Sequence, residues 1–352
     1  MAGNDVDYKQ LWSIFKAIID GYSNDADRIV KDVTAVCKQV KLLLTKWQKL
    51  PDEERNFLKQ HFIDIYCSLR CHMKFLRPDM EIRTLPTELV ELGREISEDQ
   101  REMEKIPDAF WAIDPGGRIL KIISEMFASP AFPQGSETHA SSVLELARDI
   151  FGELSSKNIF RPRVLAKVSC NGNWCVGSSM AVSHVLLPLC LHRRICDFHC
   201  SLQKATINFG SQRLDDANNH NWSSAAFNGK NYQEVKPPCM ICKEMFRNLK
   251  GFIGKNDGNN KGKDTILAAC AEYCPVSQLL QDNGQMLSEC DKAAKAKNWD
   301  QCALLFQEFP NILNEFDNAE KSGREETMKT FVLERKHRLY IFGLKPELND
   351  KF

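Results

Sequence analysis

The first 155 residues carry apolar side chains at intervals of three and four, the spacing that places them on one face of a helix. Two clear stripes are formed by Leu11, Ile14, Phe15 and Ile18, and then by Ile29, Val33, Val36, Val40 and Leu43. The pattern predicts helices over residues 7–22, 25–50, 52–75, 86–104, 118–127 and 142–154. Together they predict a helical bundle domain over residues 1–158.

After residue 160 the apolar runs become shorter, and glycine or polar clusters flank them. This change predicts strands over residues 163–170 and 204–210 and polar loops over residues 215–230 and 254–263. The element over residues 182–200 is ambiguous because Pro188 interrupts it. Helices are predicted over residues 239–249, 271–282 and 299–316, and a strand or helix over 331–343. Residues 159–352 therefore form a predicted α/β domain.

The composition is typical of a globular protein and not of a membrane protein. The chain has 352 residues, of which 43% are hydrophobic, enough to bury a sizeable core. No apolar run approaches the roughly 20 residues that cross a bilayer, and the first residues lack the pattern of a secretory signal. The 14 cysteines are scattered among amphipathic segments. We expect free thiols and a cytoplasmic or nuclear location.

The charge is balanced over the whole chain but not within it. There are 47 basic and 47 acidic side chains in total, whereas residues 161–263 hold 15 Lys and Arg against 6 Asp and Glu, an excess of 15 − 6 = +9. A basic surface of this kind favours a phosphate-bearing partner, and a solvated basic face explains it equally well.

Two short segments supply the side chains that a catalytic zinc site needs. The segment PPCMIC places Cys239 and Cys242 one helical turn apart, after prolines that favour the start of a helix. The segment ACAE places Cys270 two residues before Glu272. Three protein ligands leave the fourth tetrahedral position free for water, and a nearby glutamate can move the proton of that water. The pattern therefore predicts Zn²⁺ bound by the three cysteines, with Glu272 as the catalytic acid and base.

With these two motifs the chain resembles the cytidine-deaminase-like superfamily, which includes the nucleic-acid-editing deaminases of the AID and APOBEC kind. That family combines a His/Cys-x-Glu motif with Pro-Cys-x-x-Cys, here Cys270-Ala271-Glu272 and Pro238-Cys239-Met240-Ile241-Cys242. Their order along this chain is the reverse of the family order, as a circular permutation would produce. The resemblance implies a deaminase-like α/β/α sandwich with a mixed sheet over residues 159–352. It also implies zinc-dependent hydrolytic deamination of a cytosine- or adenine-type base, free or in nucleic acid.

A structural zinc site is the main alternative. Cys274 offers a fourth thiol, and a closed site of four cysteines would hold zinc for folding alone. The protein would then be a non-catalytic interaction protein whose N-terminal helices bind a protein partner. Buried cysteines without a metal, or a deaminase-derived fold that binds a ligand without turnover, also fit the sequence.

Other candidate residues have weaker support. Trp222 and His220 lie in the polar segment 215–230, where an aromatic ring can stack on a base or simply pack within its own loop. Cys196, His199 and Cys200 could contribute to a second metal site, although core packing explains them more simply.

Overall fold

The computed structural model describes residues 26–76, 85–97, 113–128, 136–182, 187–207, 214, 220–250 and 267–282, and parts of 315–330. The helices are α1 Ala26–Trp47, α2 Asp52–Leu76, α3 Thr87–Ile96, α4 Pro115–Ala128, α5 Ser136–Gly152, α6 Leu187–Asp197, α7 Cys200–Ile207, α8 Met240–Met245 and α9 Tyr273–Asp282. The strands are β1 Val164–Cys170, β2 Asn173–Ser178, β3 Trp222–Asn228 and β4 Val235–Lys236. The protein thus combines helices with a four-stranded antiparallel sheet.

Helices α1 to α5 follow the apolar stripes predicted from the sequence. The stripe of α1 is buried along its whole length, from Ile29 through Val33, Val36 and Val40 to Leu43. Helix α2 begins directly after Pro51 with three acidic residues in its first turn, where they oppose the positive end of the helix dipole. Helix α2 contacts α1, α3 and α4, and α4 contacts α5. The helix predicted over residues 7–22 lies outside the described residues, as do most of 299–316 and all of 254–263 and 331–343.

The sheet has the strand order β2-β1-β3-β4. The strand predicted over 163–170 is confirmed as β1, which pairs with β2 on one side and with β3 on the other. All pairings among the described strands are antiparallel, whereas the family resemblance implied a mixed sheet. The chain reverses direction between β1 and β2 and between β3 and β4, as antiparallel neighbours require, whereas β2 and β3 run in the same direction on opposite sides of β1.

Two local predictions are wrong. Residues 204–207 belong to helix α7 rather than to a strand: Leu202 and Ala205 face the core, and the Thr206 hydroxyl donates to the Leu202 carbonyl at 2.7 Å. Residues 222–228 form β3 rather than a loop, although they are rich in serine and alanine. Pairing with β1 stabilises this strand, and the Ser223 and Ser169 hydroxyls hydrogen-bond across the pair at 2.6 Å.

The two faces of the sheet contact different parts of the chain. Leu165 and Phe227 are cross-strand partners and pack into the apolar core of helices α1 to α5. Val168 and Trp222 lie on the opposite face and pack with Cys242, Tyr273 and their neighbours. Helices therefore cover both faces, and the boundary near residue 158 stays a prediction. No helix in the described part of the chain is long and apolar enough to cross a membrane.

A buried histidine makes the N-terminal helices sensitive to acid. The His72 ring hydrogen-bonds through Nδ1 to the Ser68 carbonyl at 2.8 Å and packs edge-on against Phe160. Burial lowers the pKa of His72 from 6.5 to about 4. The unfolded chain therefore takes up a proton below pH 6.5 that the folded protein takes up only near pH 4, so stability falls as the pH falls through this window.

We predict that His72→Gln reduces this acid sensitivity, because glutamine retains an N–H donor but does not titrate. Between pH 7 and pH 5 the wild type should lose about 2 kcal/mol of unfolding free energy more than the variant does. Urea unfolding at the two pH values measures the difference. An equal loss in both proteins would contradict the assignment.

Candidate metal centre

The first half of the site is built by the start of helix α8. Pro237 and Pro238 cannot donate a backbone hydrogen bond, and the chain after them turns into the helix at Cys239, its N-cap. The backbone N–H of Cys242 donates to the Cys239 sulfur at 3.4 Å. Cys239 is half-buried and Cys242 is fully buried, so the two thiols lie on the inner side of this segment.

The second half is the turn that leads into helix α9. Ala268 adopts the left-handed backbone conformation with φ 66°, which L-alanine rarely adopts, and the chain then brings Cys270 toward α8. Glu272 follows immediately before the helix, and its carbonyl accepts the Val276 N–H at 3.1 Å. The predicted helix start near residue 271 is thus displaced to Tyr273.

The three predicted ligands converge. The sulfurs of Cys239, Cys242 and Cys270 all lie within 4.8 Å of one another, and those of Cys239 and Cys270 are 3.4 Å apart. A tetrahedral ion with sulfur ligands at about 2.3 Å would separate them by about 3.8 Å. Among the described residues, this is the one group of three or more His, Cys, Asp or Glu side chains spaced for a shared ion. The cluster could therefore hold a metal ion.

The hydrogen bonds within the cluster favour one thiolate among the three sulfurs. The pKa of Cys239 is lowered to about 3, first by its hydrogen bond with Cys242 and then by that with Cys270. The pKa of Cys242 is raised mainly by burial, and that of Cys270 mainly by its hydrogen bond to Cys239. A cation bound among the sulfurs would replace these shared protons, because metal ligation requires deprotonated thiols.

Glu272 lies beside the cluster without joining it. Its side chain is 5% exposed, and Oε2 accepts from the Cys242 thiol at 3.5 Å. The carboxylate is not within the group whose ligand atoms all lie within 4.8 Å of one another.

Burial and then the negative charge of Cys239 raise the pKa of Glu272 to about 7. A bound cation would oppose this shift, since it stabilises the carboxylate. The site thus offers three sulfur ligands and one separate proton-carrying group.

The turn bearing Cys270 lies unusually close to the sheet. Gly177, Ala166 and Ala226 are paired neighbours on adjacent strands and present a row of small side chains. Ala271 is buried against this row. A Cβ atom at Gly177 would collide with the Ala271 carbonyl and with the Pro275 ring. The small residues therefore permit the approach that brings Cys270 to α8.

Two further hydrogen-bonding groups hold this turn. The Met180 N–H donates to the Ala269 carbonyl at 2.8 Å. Arg194 Nη2, from α6, donates to the carbonyls of Cys270 and Ser178, both at 3.0 Å. Arg194 and Gly177 cannot be identified as site residues from the sequence, because their roles depend on tertiary contacts. Their neighbours in sequence, HRR and CVGS, carry no pattern that would have identified them.

The remaining sequence candidates lie elsewhere. Trp222 is 3% exposed and packs in the core, so its ring is covered by protein; His220 is half-buried. Cys274 is exposed and is not part of the three-sulfur group. His199 Nδ1 accepts from the Ser201 N–H at 3.3 Å at the start of α7. The side chain of Cys196 lies outside the described residues, and Cys200 is half-buried.

Comparison of this chain with protein-family models, with curated proteins and with solved structures gives no match.

We predict that Gly177→Ala displaces the Cys270 turn and weakens metal binding, because the added methyl group has no room beneath Ala271 and Pro275. Overpacking of this kind costs about 1–3 kcal/mol. The bound metal of the purified variant, measured by elemental analysis, should fall well below the wild-type content.

Gly152→Ala is the matched control, since a Cβ there meets nothing within 4 Å. It should keep both metal and stability. Wild-type metal content in Gly177→Ala would refute the steric argument.

Proposed function

We propose that the protein is a zinc-dependent hydrolytic deaminase of a cytosine- or adenine-type base, free or in nucleic acid. One observation carries the proposal: three thiols converge within 4.8 Å, and the carboxyl of Glu272 lies beside them but outside the group. A purely structural site would need a fourth ligand and would have no use for a separate buried acid.

The donor set suits zinc. Thiolates are soft ligands that select zinc, copper(I) or iron–sulfur centres, and three of them with one open position is an arrangement found in catalytic zinc sites. Cys239, Cys242 and Cys270 would hold the ion. Zinc bound there would supply an activated water and Lewis-acid polarisation.

Glu272 would carry the proton. Burial keeps bulk water away from the carboxyl and raises its pKa, whereas a bound cation would lower that pKa, so the two opposing effects suit a group that both accepts and releases a proton. In a hydrolytic deamination Glu272 would take two protons in turn from the attacking water, passing one to the ring nitrogen and the other to the departing amine, so that the water oxygen replaces the amino group and ammonia leaves. Its Oε2 lies 3.5 Å from the sulfur of Cys242, and only Ala271 separates it along the chain from Cys270, so the carboxyl would lie beside the ion that the thiolates would hold.

A deaminase-like fold is also part of what we propose. We propose a deaminase-like α/β/α sandwich over residues 159–352 after a helical bundle over residues 1–158; the described helices of residues 187–282 would form one of its helical layers, while the N-terminal helices cover the other face of the sheet. The reversed order of the two cysteine motifs would then reflect a permuted chain that brings the same side chains together.

A phosphate-bearing substrate is supported by the charge next to the site. Lys236, Lys243, Arg247 and Lys250 lie on or beside the segment that carries Cys239 and Cys242. Three of them are exposed and Lys243 is half-exposed, and none forms an ion pair within the described part of the chain. Free cationic side chains near a site attract phosphates. A nucleotide or a nucleic acid is therefore favoured over a free base.

The first test is metal content. We predict about one equivalent of zinc per chain in protein purified without chelator, because the three thiols form a single site. Elemental analysis of Cys242→Ser should show loss of the zinc. Cys200→Ser is the control and should retain it; metal-free wild type that is well folded would refute the zinc assignment.

The second test separates catalysis from structure. Glu272→Gln preserves shape but cannot carry the proton, so it should keep zinc and thermal stability while losing ammonia release from base-containing substrates by a factor on the order of 100. Ammonia assays with nucleosides, nucleotides and single-stranded nucleic acids measure this loss.

Cys274→Ala provides the contrast. It should leave zinc and activity intact, because the exposed Cys274 is not in the three-sulfur group. Loss of zinc in this variant, together with no effect of Glu272→Gln, would instead establish a structural four-cysteine site.

A further inference from the structure

Arg194 connects the candidate metal centre to the sheet. Its side chain is 8% exposed, and Nη2 donates to the carbonyls of both Ser178, at the end of β2, and Cys270. One guanidinium nitrogen thus bridges the backbone of a strand and the backbone of a metal-ligand residue. Hydrogen bonds from a charged donor are stronger than those between neutral groups, so this bridge fixes the Cys270 turn relative to the sheet.

Asp114 in turn holds Arg194 from the N-terminal part of the chain. It directly precedes α4, and its Oδ1 accepts from the backbone N–H of Gly116 at 3.1 Å and of Ala181 at 3.4 Å. Its Oδ2 lies 3.8 Å from Arg194 Nη1, and both side chains are buried. The carboxylate therefore joins the start of α4, the segment after β2 and the guanidinium of α6.

Each of the two charges requires the other. A buried charge left without a partner is strongly unfavourable, whereas a buried pair compensates part of the desolvation cost. Backbone groups satisfy Arg194 Nη2 and Asp114 Oδ1, but Asp114 Oδ2 has no hydrogen-bond partner among the described residues, so the positive charge of Arg194, with Nη1 3.8 Å away, is what compensates this oxygen. Removing either group would leave the other free to move toward a new partner or toward solvent.

We propose that Asp114 and Arg194 are a positioning pair through which the N-terminal helices control how firmly Cys239, Cys242 and Cys270 retain their metal. Asp114 sets the position of the Arg194 guanidinium, and Arg194 sets the position of the Cys270 backbone. This inference rests on the metal binding in the proposed function but not on deamination. It predicts that the metal centre is loosened by a change at Asp114, which is 156 residues before Cys270 in the sequence.

The experiment measures metal release rather than activity. The full chain is loaded with Co²⁺, whose sulfur-to-cobalt charge-transfer absorption reports bound metal, and release to excess EDTA is followed in time. Arg194→Gln and Asp114→Asn should each accelerate release by about tenfold or more, as the loss of a charge-assisted hydrogen bond or its support implies. Arg194→Lys, which keeps the charge but not the planar fork, should be intermediate.

The chain offers a matched control pair. Arg118 Nε lies 3.3 Å from Asp64 Oδ2, and this arginine is on α4, close in sequence to Asp114. Arg118→Gln and Asp64→Asn therefore break a comparable ion pair that does not touch the metal centre. Both should leave the release rate within about twofold of wild type, even where urea unfolding shows a similar loss of stability.

Wild-type release rates in Asp114→Asn and Arg194→Lys would overturn the proposal, and so would equal acceleration in the Arg118 and Asp64 variants. If Arg194→Gln does not fold, Asp114→Asn and Arg194→Lys still decide the outcome. Failure of the wild type to bind Co²⁺ would refute this inference together with the metal site. If the Asp114 and Arg194 variants release metal faster than the wild type but the wild type produces no ammonia, only the deaminase function is refuted.

Discussion

The site exists because a turn of the chain lies almost in contact with the sheet. Gly177, Ala166 and Ala226 leave a shallow strip across three strands, and Ala271 fits into it. Without that approach Cys270 would lie too far from α8 for the sulfurs to meet. There is no free volume between the turn and the sheet to accept a larger side chain, because protein interiors are packed as densely as organic crystals. The convergence of the three sulfurs thus depends on the small residues at this place in the sheet, where a larger side chain would collide with the turn.

The second constraint is electrostatic. Cys239, Glu272 and Asp114 bring potential negative charges into the interior, while Arg194 is the buried cation that contacts this region. Such an arrangement is costly without a further positive charge, since desolvated like charges repel strongly. A divalent cation among the thiolates would supply it. Metal binding and the folding of the C-terminal part are therefore expected to be coupled, because the ion compensates charges that the fold has already buried.

The sequence predicts those features that depend on near neighbours. The helical stripes, strand β1 and the start of α8 after Pro237 and Pro238 all follow from local spacing, and the structure contains them. Local rules fail where tertiary contacts override propensity: β3 has a serine- and alanine-rich sequence that forms a strand only through its pairing with β1. For the same reason Arg194 was not predicted. Its importance lies in two carbonyls that are 16 and 76 positions away.

The two prolines before Cys239 have a second consequence, for the solubility of the folded protein. Strand β4 consists of Val235 and Lys236, both exposed, and among the described strands it pairs only with β3. An exposed strand edge invites another chain to add to the sheet, and proline prevents this because it has no N–H to donate. Pro237 and Pro238 end the edge at once. The segment from Pro237 to Cys242, which carries two of the three clustered sulfurs, therefore also prevents a strand of another molecule from pairing with this edge of the sheet.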